Sequence, residues 1–246
     1  MAAPGLPRWI EAPVAAAALV ALTPLLGLIA VAVRLDSSGP ALFRHVRIGR
    51  DGQPFQLAKF RTMVDRAGGP AVTAGGDPRI TRVGRWLRRS KLDELPQLAH
   101  VVTGAMALVG PRPEVPDYVD LDDPRWRAAL AAPPGLTDPA TRTLRDEEAV
   151  LAQLPDDPDA RADFYRAVLV PYKLMLARDY ARRRTPLRDL VVLVDTLRAI
   201  VRPSTAPPPT PAALRQRVAA DGAASQSSLA SRSASQSSDA SRSASQ

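Results

Sequence analysis

The feature that most restricts this chain is the run from Ala12 to Val33, which contains no charged residue. A bilayer-spanning helix needs ~20 apolar residues, so the segment is long enough to cross a membrane. Three arrangements compete. A cleaved leader would end near Ala30-Val31-Ala32, but leader segments carry only ~7–15 apolar residues, and Glu11 spoils the positive flank they require. A plain spanning helix is the simplest alternative. The third turns on Pro24, mid-segment, which removes one helical hydrogen bond and clashes with the preceding turn. A helix broken there can enter and leave by the same membrane face, although kinked spanning helices also tolerate proline. The residues alone disfavour the leader and leave spanning and re-entrant arrangements open.

The formal charge of +8 and pI near 10.6 call for an anionic partner: nucleic acid, an anionic lipid surface or a phosphorylated substrate. The absence of cysteine removes disulfides and thiolate metal sites. With only two histidines, His45 and His100, any metal must be a hard cation held by carboxylates and phosphates.

Beyond Arg34 the pattern changes. Leu42 to Ile48 and Pro54 to Arg61 alternate in part, with turn residues Arg50-Asp51-Gly52-Gln53 between them, and predict a small β-hairpin. A glycine-rich loop is expected from Gly68 to Asp77. Arg79 to Ser90 predicts a helix, with Ile80, Val83 and Leu87 on one face and Arg82, Arg85 and Arg89 on another. Leu92 to Val102 predicts a second, starting near Asp93 because Pro96 fits only a first turn and stopping at Gly104. The segment 110–116, GPRPEVP, predicts a rigid, exposed loop. Helices are also expected from Phe164 to Arg184, interrupted by Pro171, and from Leu187 to Val201. In the last, Leu187, Leu190, Val191, Val194, Leu197 and Val201 form a stripe that suits either a core or a membrane surface. From Ala224 onward a near-repeat rich in Ser offers almost no apolar surface to offset chain entropy, and disorder is expected.

The chemistry concentrates in KLDELPQL, Lys91 to Leu98. Paired carboxylates at a helix start ordinarily do no more than complement the helix dipole. Here Arg88, Arg89 and Lys91 precede Asp93 and Glu94. Cations that close keep a carboxylate ionised. An ionised Asp beside phosphate-binding cations is what phosphoryl transfer through a covalent enzyme intermediate requires.

Three blocks, GPALFRHVRIGRDGQPFQLAKFRTM (Gly39 to Met63), TRVGRWLRRSKLDELPQL (Thr81 to Leu98) and LVGPRPE (Leu108 to Glu114), resemble the signature of the bacterial sugar transferase family, in its order and spacing. These are the small monotopic polyprenyl-phosphate phosphoglycosyl transferases, and the resemblance covers residues 12–202. It implies an α-rich α+β fold: a re-entrant membrane helix (residues 1–36) broken at Pro24, then a helical catalytic domain (37–203) with a small β-hairpin and interfacial amphipathic helices. A Pro/Ser-rich disordered tail (204–246) follows.

The resemblance further implies a double displacement. Asp93 attacks the β-phosphorus of a UDP-sugar, UMP leaves, and undecaprenyl phosphate takes the phosphosugar from the carboxylate. Glu94 is implied as the Mg²⁺ ligand. Lys59, Arg88 and Arg112 match basic positions of the family's site, with Arg88 on substrate phosphate and Arg112, between Pro111 and Pro113, toward nucleotide or phosphate. Gly110 is expected to admit the ligand close to the backbone. Thr23 is placed to satisfy a carbonyl freed at Pro24. The implied location is the cytoplasmic face of the inner membrane, with no nucleic-acid partner. Two departures bear on sugar preference: Asp138-Pro139 stands where Gly-Trp is frequent, and Ala177 where Asp is frequent. The rival readings are a membrane-tethered nucleic-acid binder using the Arg-rich helix, and a member of the same fold whose catalysis has lapsed.

Overall fold

The computed structural model describes residues 5–64, 76–138, 144, 147–202 and 207–223. Most of the glycine-rich loop expected at 68–77 and everything after residue 223 lie outside the described residues. The chain opens with helix α1 (Arg8–Asp36), followed by a β1–β2 hairpin (Leu42–Ile48 and Pro54–Phe60) and helix α2 (Arg82–Ser90). A tight 3-10 turn (Leu92–Gln97) leads into α3 (Leu98–Thr103) and β3 (Ala107–Val109). Then come α4 (Pro124–Leu130), β4 (Gly135–Thr137), α5 (Glu147–Leu151), α6 (Pro158–Phe164), α7 (Val170–Arg183) and α8 (Pro186–Val201).

The hairpin pairs antiparallel from Leu42↔Phe60 to Ile48↔Pro54, as the alternation predicts. A second, parallel pair joins β3 to β4, Ala107↔Gly135 and Val109↔Thr137. Strands of three residues are too short to show a period in sequence, and this pair was not foreseen.

The interruption expected at Pro24 is not seen: the chain is helical from Arg8 to Asp36 with Pro13 and Pro24 inside. Pro24 withholds only the N–H that would reach the Val20 carbonyl. Packing continues on both sides of it. Ala15, Ala18, Leu19 and Leu22 lie against one apolar cluster, and Leu25, Leu26, Ile29 and Val33 against the next. The Thr23 hydroxyl donates to the Leu19 carbonyl at 2.9 Å, not to the one that Pro24 frees. Both ends of α1 are tied to the same body. Arg8 donates to the carbonyls of Val102 and Met106, and Glu11 accepts from the Leu108 N–H at 2.9 Å. At the other end Asp36 accepts from the Val83 N–H at 2.8 Å, and Arg61 donates to the carbonyls of Ser37 and Ser38.

Helix α2 begins at Arg82, three residues later than expected. Thr81 caps it, accepting from the Gly84 N–H at 2.9 Å, while Arg79 is folded back onto Asp77 at 2.7 Å. The helix expected from Leu92 is two pieces, because Pro96 is held in a 3-10 turn and the α-helix forms only after it. Pro171 is accommodated differently: a π-type turn, Tyr165–Leu169, joins α6 to α7 and leaves Pro171 at the start of α7, where its missing N–H costs little.

The α8 stripe is not core. Leu187, Leu190, Val191, Val194 and Leu197 are exposed, while Asp189 on the opposite face is fully buried. The chain expected to be a disordered tail from residue 204 contains a helix over residues 211–223, whose Leu214 is fully buried in the larger core around Trp126, Leu169 and Tyr172. The eight residues from Pro211 to Val218 hold enough apolar side chain to dock, which the Ser-rich repeat after them does not.

Candidate active site

The Asp93–Glu94 pair is positioned by an abrupt stop in α2. Lys91 adopts a left-handed conformation (φ 60°) and its N–H reaches the carbonyls of Leu87 and Arg88. The chain then enters the 3-10 turn, whose first residues carry the two carboxylates. Leu87, without exposed surface, anchors the end of the helix, and Asp93 and Gln97 turn inward. Strand β2 packs on this turn and brings up Lys59. Helix α2 lies close on the strand exit because Gly84 has no side chain: a Cβ there would collide with the Thr62 carbonyl. That closeness lets Arg88 donate from Nε to the Thr62 hydroxyl at 2.9 Å.

The two carboxylates differ. Asp93 is 5% exposed, and its Oδ1 is buried with no hydrogen-bond partner. Burial, then the charge of Glu94, push it up to about 6 against the opposing Lys59, Lys91 and Arg88. Of the cations expected to keep Asp93 ionised, Lys91 and Arg88 do act on it, together with Lys59, but dehydration outweighs them and the shift is upward. The value still lies below 7, so the carboxylate form predominates at neutral pH. Glu94 receives both nitrogens of the Arg112 fork, at 2.6 and 3.3 Å. Burial alone would raise it; Arg112, with Lys91 and Lys59, outweighs burial and holds it at about 2. Two adjacent carboxylates are thus driven apart, one without a partner and one firmly charged.

Lys59 is not a solvated strand lysine. Burial draws it down to about 8, with Asp93 and Glu94 opposing that shift and Arg88 and Arg47 adding to it. Arg88 lies within the same field, but its guanidinium is also paired with Glu148 of α5 and donates to Met63 Sδ. The exposed arginines of α2 are Arg82, Arg85 and Arg89.

The 110–116 loop is irregular, as expected, but only partly exposed: Gly110, Pro113 and Glu114 are buried. Gly110 does not make room for a ligand. A Cβ there would strike the Pro133 carbonyl, so the glycine serves the close β3–β4 pairing. The Pro111 carbonyl accepts from the Gly135 N–H at 2.9 Å and that of Pro113 from Arg47 at 3.3 Å. The two prolines therefore fix Arg112 between anchored carbonyls, with its own side chain turned outward onto Glu94. Asp138 is buried and its charge acts on Arg112, which puts the first sequence departure beside the site. Ala177, the second, is packed in the larger core.

Sequence reasoning missed a second charged cluster two residues from Arg112. Glu114 accepts from Arg47 (3.1 Å), the Val115 N–H (3.0 Å), Tyr165 Oη (2.7 Å) and Lys173 (3.3 Å). Glu114 and Arg47 stand inside the recognised blocks, which was the available signal. Lys173 and Tyr165 lie far along the chain and had none.

A group of three or more acidic or histidine side chains suited to a metal does not occur among the described residues. Asp93 and Glu94 nevertheless fit Mg²⁺, which is characteristically held by one or two carboxylates together with substrate phosphates and water. The unpartnered Asp93 oxygen is consistent with that.

Residues 4–203 match the family described as bacterial sugar transferase. Over 130 residues the chain is 53% identical to a UDP-glucose:undecaprenyl-phosphate glucose-1-phosphate transferase of Caulobacter vibrioides, covering 50% of this chain and 49% of that one. A protein of the same name from Escherichia coli is 50% identical over 97 residues, 39% of this chain and 21% of that one. The exopolysaccharide production protein ExoY of Sinorhizobium fredii is 38% identical over 147 residues, 53% and 65% of the two chains. The chain thus spans less than two thirds of the length of each of these relatives.

Proposed function

Because the chain belongs to the bacterial sugar transferase family, we propose that it transfers a sugar-1-phosphate from a UDP-sugar to undecaprenyl phosphate at a membrane surface, releasing UMP and starting a glycoconjugate or exopolysaccharide. The names of its relatives support the donor and acceptor classes. The observation that carries the reading is the buried Asp93 oxygen that has no hydrogen-bond partner among the described residues, beside a Glu94 committed to charge by Arg112.

In this reading an Asp93 oxygen attacks the β-phosphorus, the bond to the bridging oxygen breaks, and UMP departs. The phosphosugar is held on Asp93 as a mixed anhydride. An oxygen of undecaprenyl phosphate then attacks the same phosphorus and restores the carboxylate. Lys59 and Arg112 neutralise the phosphoryl oxygens, and Arg88 joins them on exchanging Glu148 for substrate phosphate. Glu94, with Asp93 until it reacts, would hold Mg²⁺. Bound there, the ion would offset charge on the diphosphate and on the leaving phosphate.

The ties at both ends of α1 support an arrangement on one membrane face. The helix has 29 residues, about 43 Å at 1.5 Å each, and packs on the domain along that length. A crossing helix would draw this charged domain into hydrocarbon, at prohibitive cost. We therefore assign α1 to one membrane face. Its exposed Trp9, Val20, Leu28 and Leu35, with the apolar stripe of α8, meet lipid on the cytoplasmic side. Labels at the two ends of α1 will be accessible from the same face, and labels on opposite faces would overturn the assignment.

The test of the chemistry is a single-turnover experiment in detergent with Mg²⁺ and sugar-labelled, β-³²P UDP-sugar, omitting the acceptor. Label bound to the polypeptide and stoichiometric UMP are expected. Release of UDP, or polypeptide that never carries label, would rule the mechanism out.

A further inference from the structure

One buried polar atom near the site is unused by the chemistry above: Nε2 of His45, which has no hydrogen-bond partner. His45 lies on β1 between Phe43 and Arg47, and alternation places all three on one face of the hairpin. The register sets Phe43 opposite Lys59, so Lys59 shares that face. The Phe43 ring lies 5.3 Å from the imidazole and 6.0 Å from the Lys59 ammonium, holding the two side by side.

The tautomer follows from one contact. Arg47 Nε lies 3.3 Å from His45 Nδ1. A guanidinium only donates, so Nδ1 must offer its lone pair, and the proton of the neutral ring belongs on Nε2. The ring is neutral: burial, followed by the charges of Arg47, Lys59 and Arg112, holds it at about 3 against the opposite pull of Glu114. The protein therefore keeps a buried N–H without an acceptor, which is costly for the fold. Three of the four charged groups that act on it are cations, the fourth, Glu114, is already occupied by Arg47 and Lys173, and two of the cations, Lys59 and Arg112, also act on Glu94. An acceptor drawn into such surroundings is an anion.

We propose that His45 is a substrate-binding residue whose Nε2–H donates to a phosphoryl oxygen of the nucleotide-sugar diphosphate. The assignment rests on the phosphosugar-transfer reading above and names a donor that neither the basic residues nor the carboxylate pair supplies. A neutral donor suits the position, because it adds a directed hydrogen bond without further lowering Lys59 or repelling Arg112.

Two substitutions separate the ring nitrogens. The His45→Asn amide reaches only as far as Nδ1, so it preserves the acceptor for Arg47 and removes the distal donor. The His45→Gln amide extends to the position of Nε2 and restores a donor there. Calorimetric titration of UDP-glucose and of UDP, with Asp93→Asn present in every sample so that the donor is bound but not consumed, is expected to show His45→Asn binding both about ten- to hundredfold more weakly than the parent, the usual size for a hydrogen bond to a charged group. His45→Gln is expected to lie within about threefold of the parent. The melting temperature of His45→Asn should match or exceed the parent's, because the orphaned donor is gone; a merely structural histidine would lower it. The proposal is overturned if His45→Asn binds UDP as the parent does, or if His45→Gln binds as weakly as His45→Asn. Weakening confined to UDP-glucose would place the contact on the sugar and also overturn it. A parent protein that binds neither nucleotide and releases no UMP would instead remove the reading on which the assignment rests.

Discussion

Two acidic side chains, Asp93 and Glu114, are both nearly buried, yet their surroundings are opposite. Glu114 accepts four hydrogen bonds that occupy both of its oxygens. Burial alone would raise it, but Lys173 and Arg47 outweigh burial and hold it at about 2. Asp93 has an oxygen with no partner, and burial with Glu94 raises it to about 6. The fully satisfied carboxylate is a structural clasp joining the hairpin, the 110–116 loop and the helices around Tyr165 and Lys173. The unsatisfied one is a site that awaits an electrophile. Satisfaction of hydrogen bonds, more than burial or charge count, separates architecture from chemistry here.

The comparison can be broken most directly at Asp93. Asp93→Asn is expected to lower UMP release by at least ~10³-fold, since an amide oxygen cannot replace the attacking carboxylate. Its melting temperature should stay the same or rise, because a buried charge lacking a hydrogen bond is removed. Retained turnover would dissolve the distinction. Glu114→Ala should do the reverse: a loss of ~3–5 kcal/mol in denaturant unfolding, because Arg47 is left as a buried cation without its paired carboxylate and Lys173 keeps only Glu147. A variant as stable as the parent would show that the clasp holds nothing.

Acid sharpens the contrast. Glu114 titrates at about 2 when folded against an ordinary value of 4.5, so the folded state binds fewer protons than the unfolded chain between these values. Its contribution to stability is complete above about pH 4.5 and disappears as pH falls toward 2. Melting temperatures recorded across that window should fall more steeply for the parent than for Glu114→Gln; parallel curves would contradict the assignment. The smallest effect is expected at Arg112→Lys. The Arg112–Glu94 pair is half exposed on the arginine side, so stability should change by less than ~1 kcal/mol. Loss of the two-pronged contact should still raise KM for the UDP-sugar by about tenfold, measurable by UMP release at varied donor.

Much of the fold was legible where a segment satisfies its own pattern. The hairpin and α8 emerged at nearly their observed limits, because alternation and a 3.6-residue stripe leave a trace in consecutive residues. Thr81, Asp36 and Asp77 decided where α2 begins, and one of these caps comes from another helix. Pro171 was rightly seen to interrupt a helix, while the π-type turn that absorbs it was not. Of the site residues, Asp93, Glu94, Lys59 and Arg112 come together. Gly110 serves strand packing, and Arg88 is shared with Glu148 of α5.

By itself the sequence determined the class of molecule: an apolar helix built for lipid, a strongly basic domain without thiols, and a carboxylate pair among cations in three ordered blocks. These are properties of residue type and spacing, which need no partner from elsewhere in the chain. Only the tertiary structure decided that α1 runs unbroken along the domain, that Glu94 is paired and Asp93 is not, and that the neutral His45 keeps a spare proton. Each depends on which distant groups exclude water or supply a hydrogen bond, and those neighbours are chosen by packing across the fold.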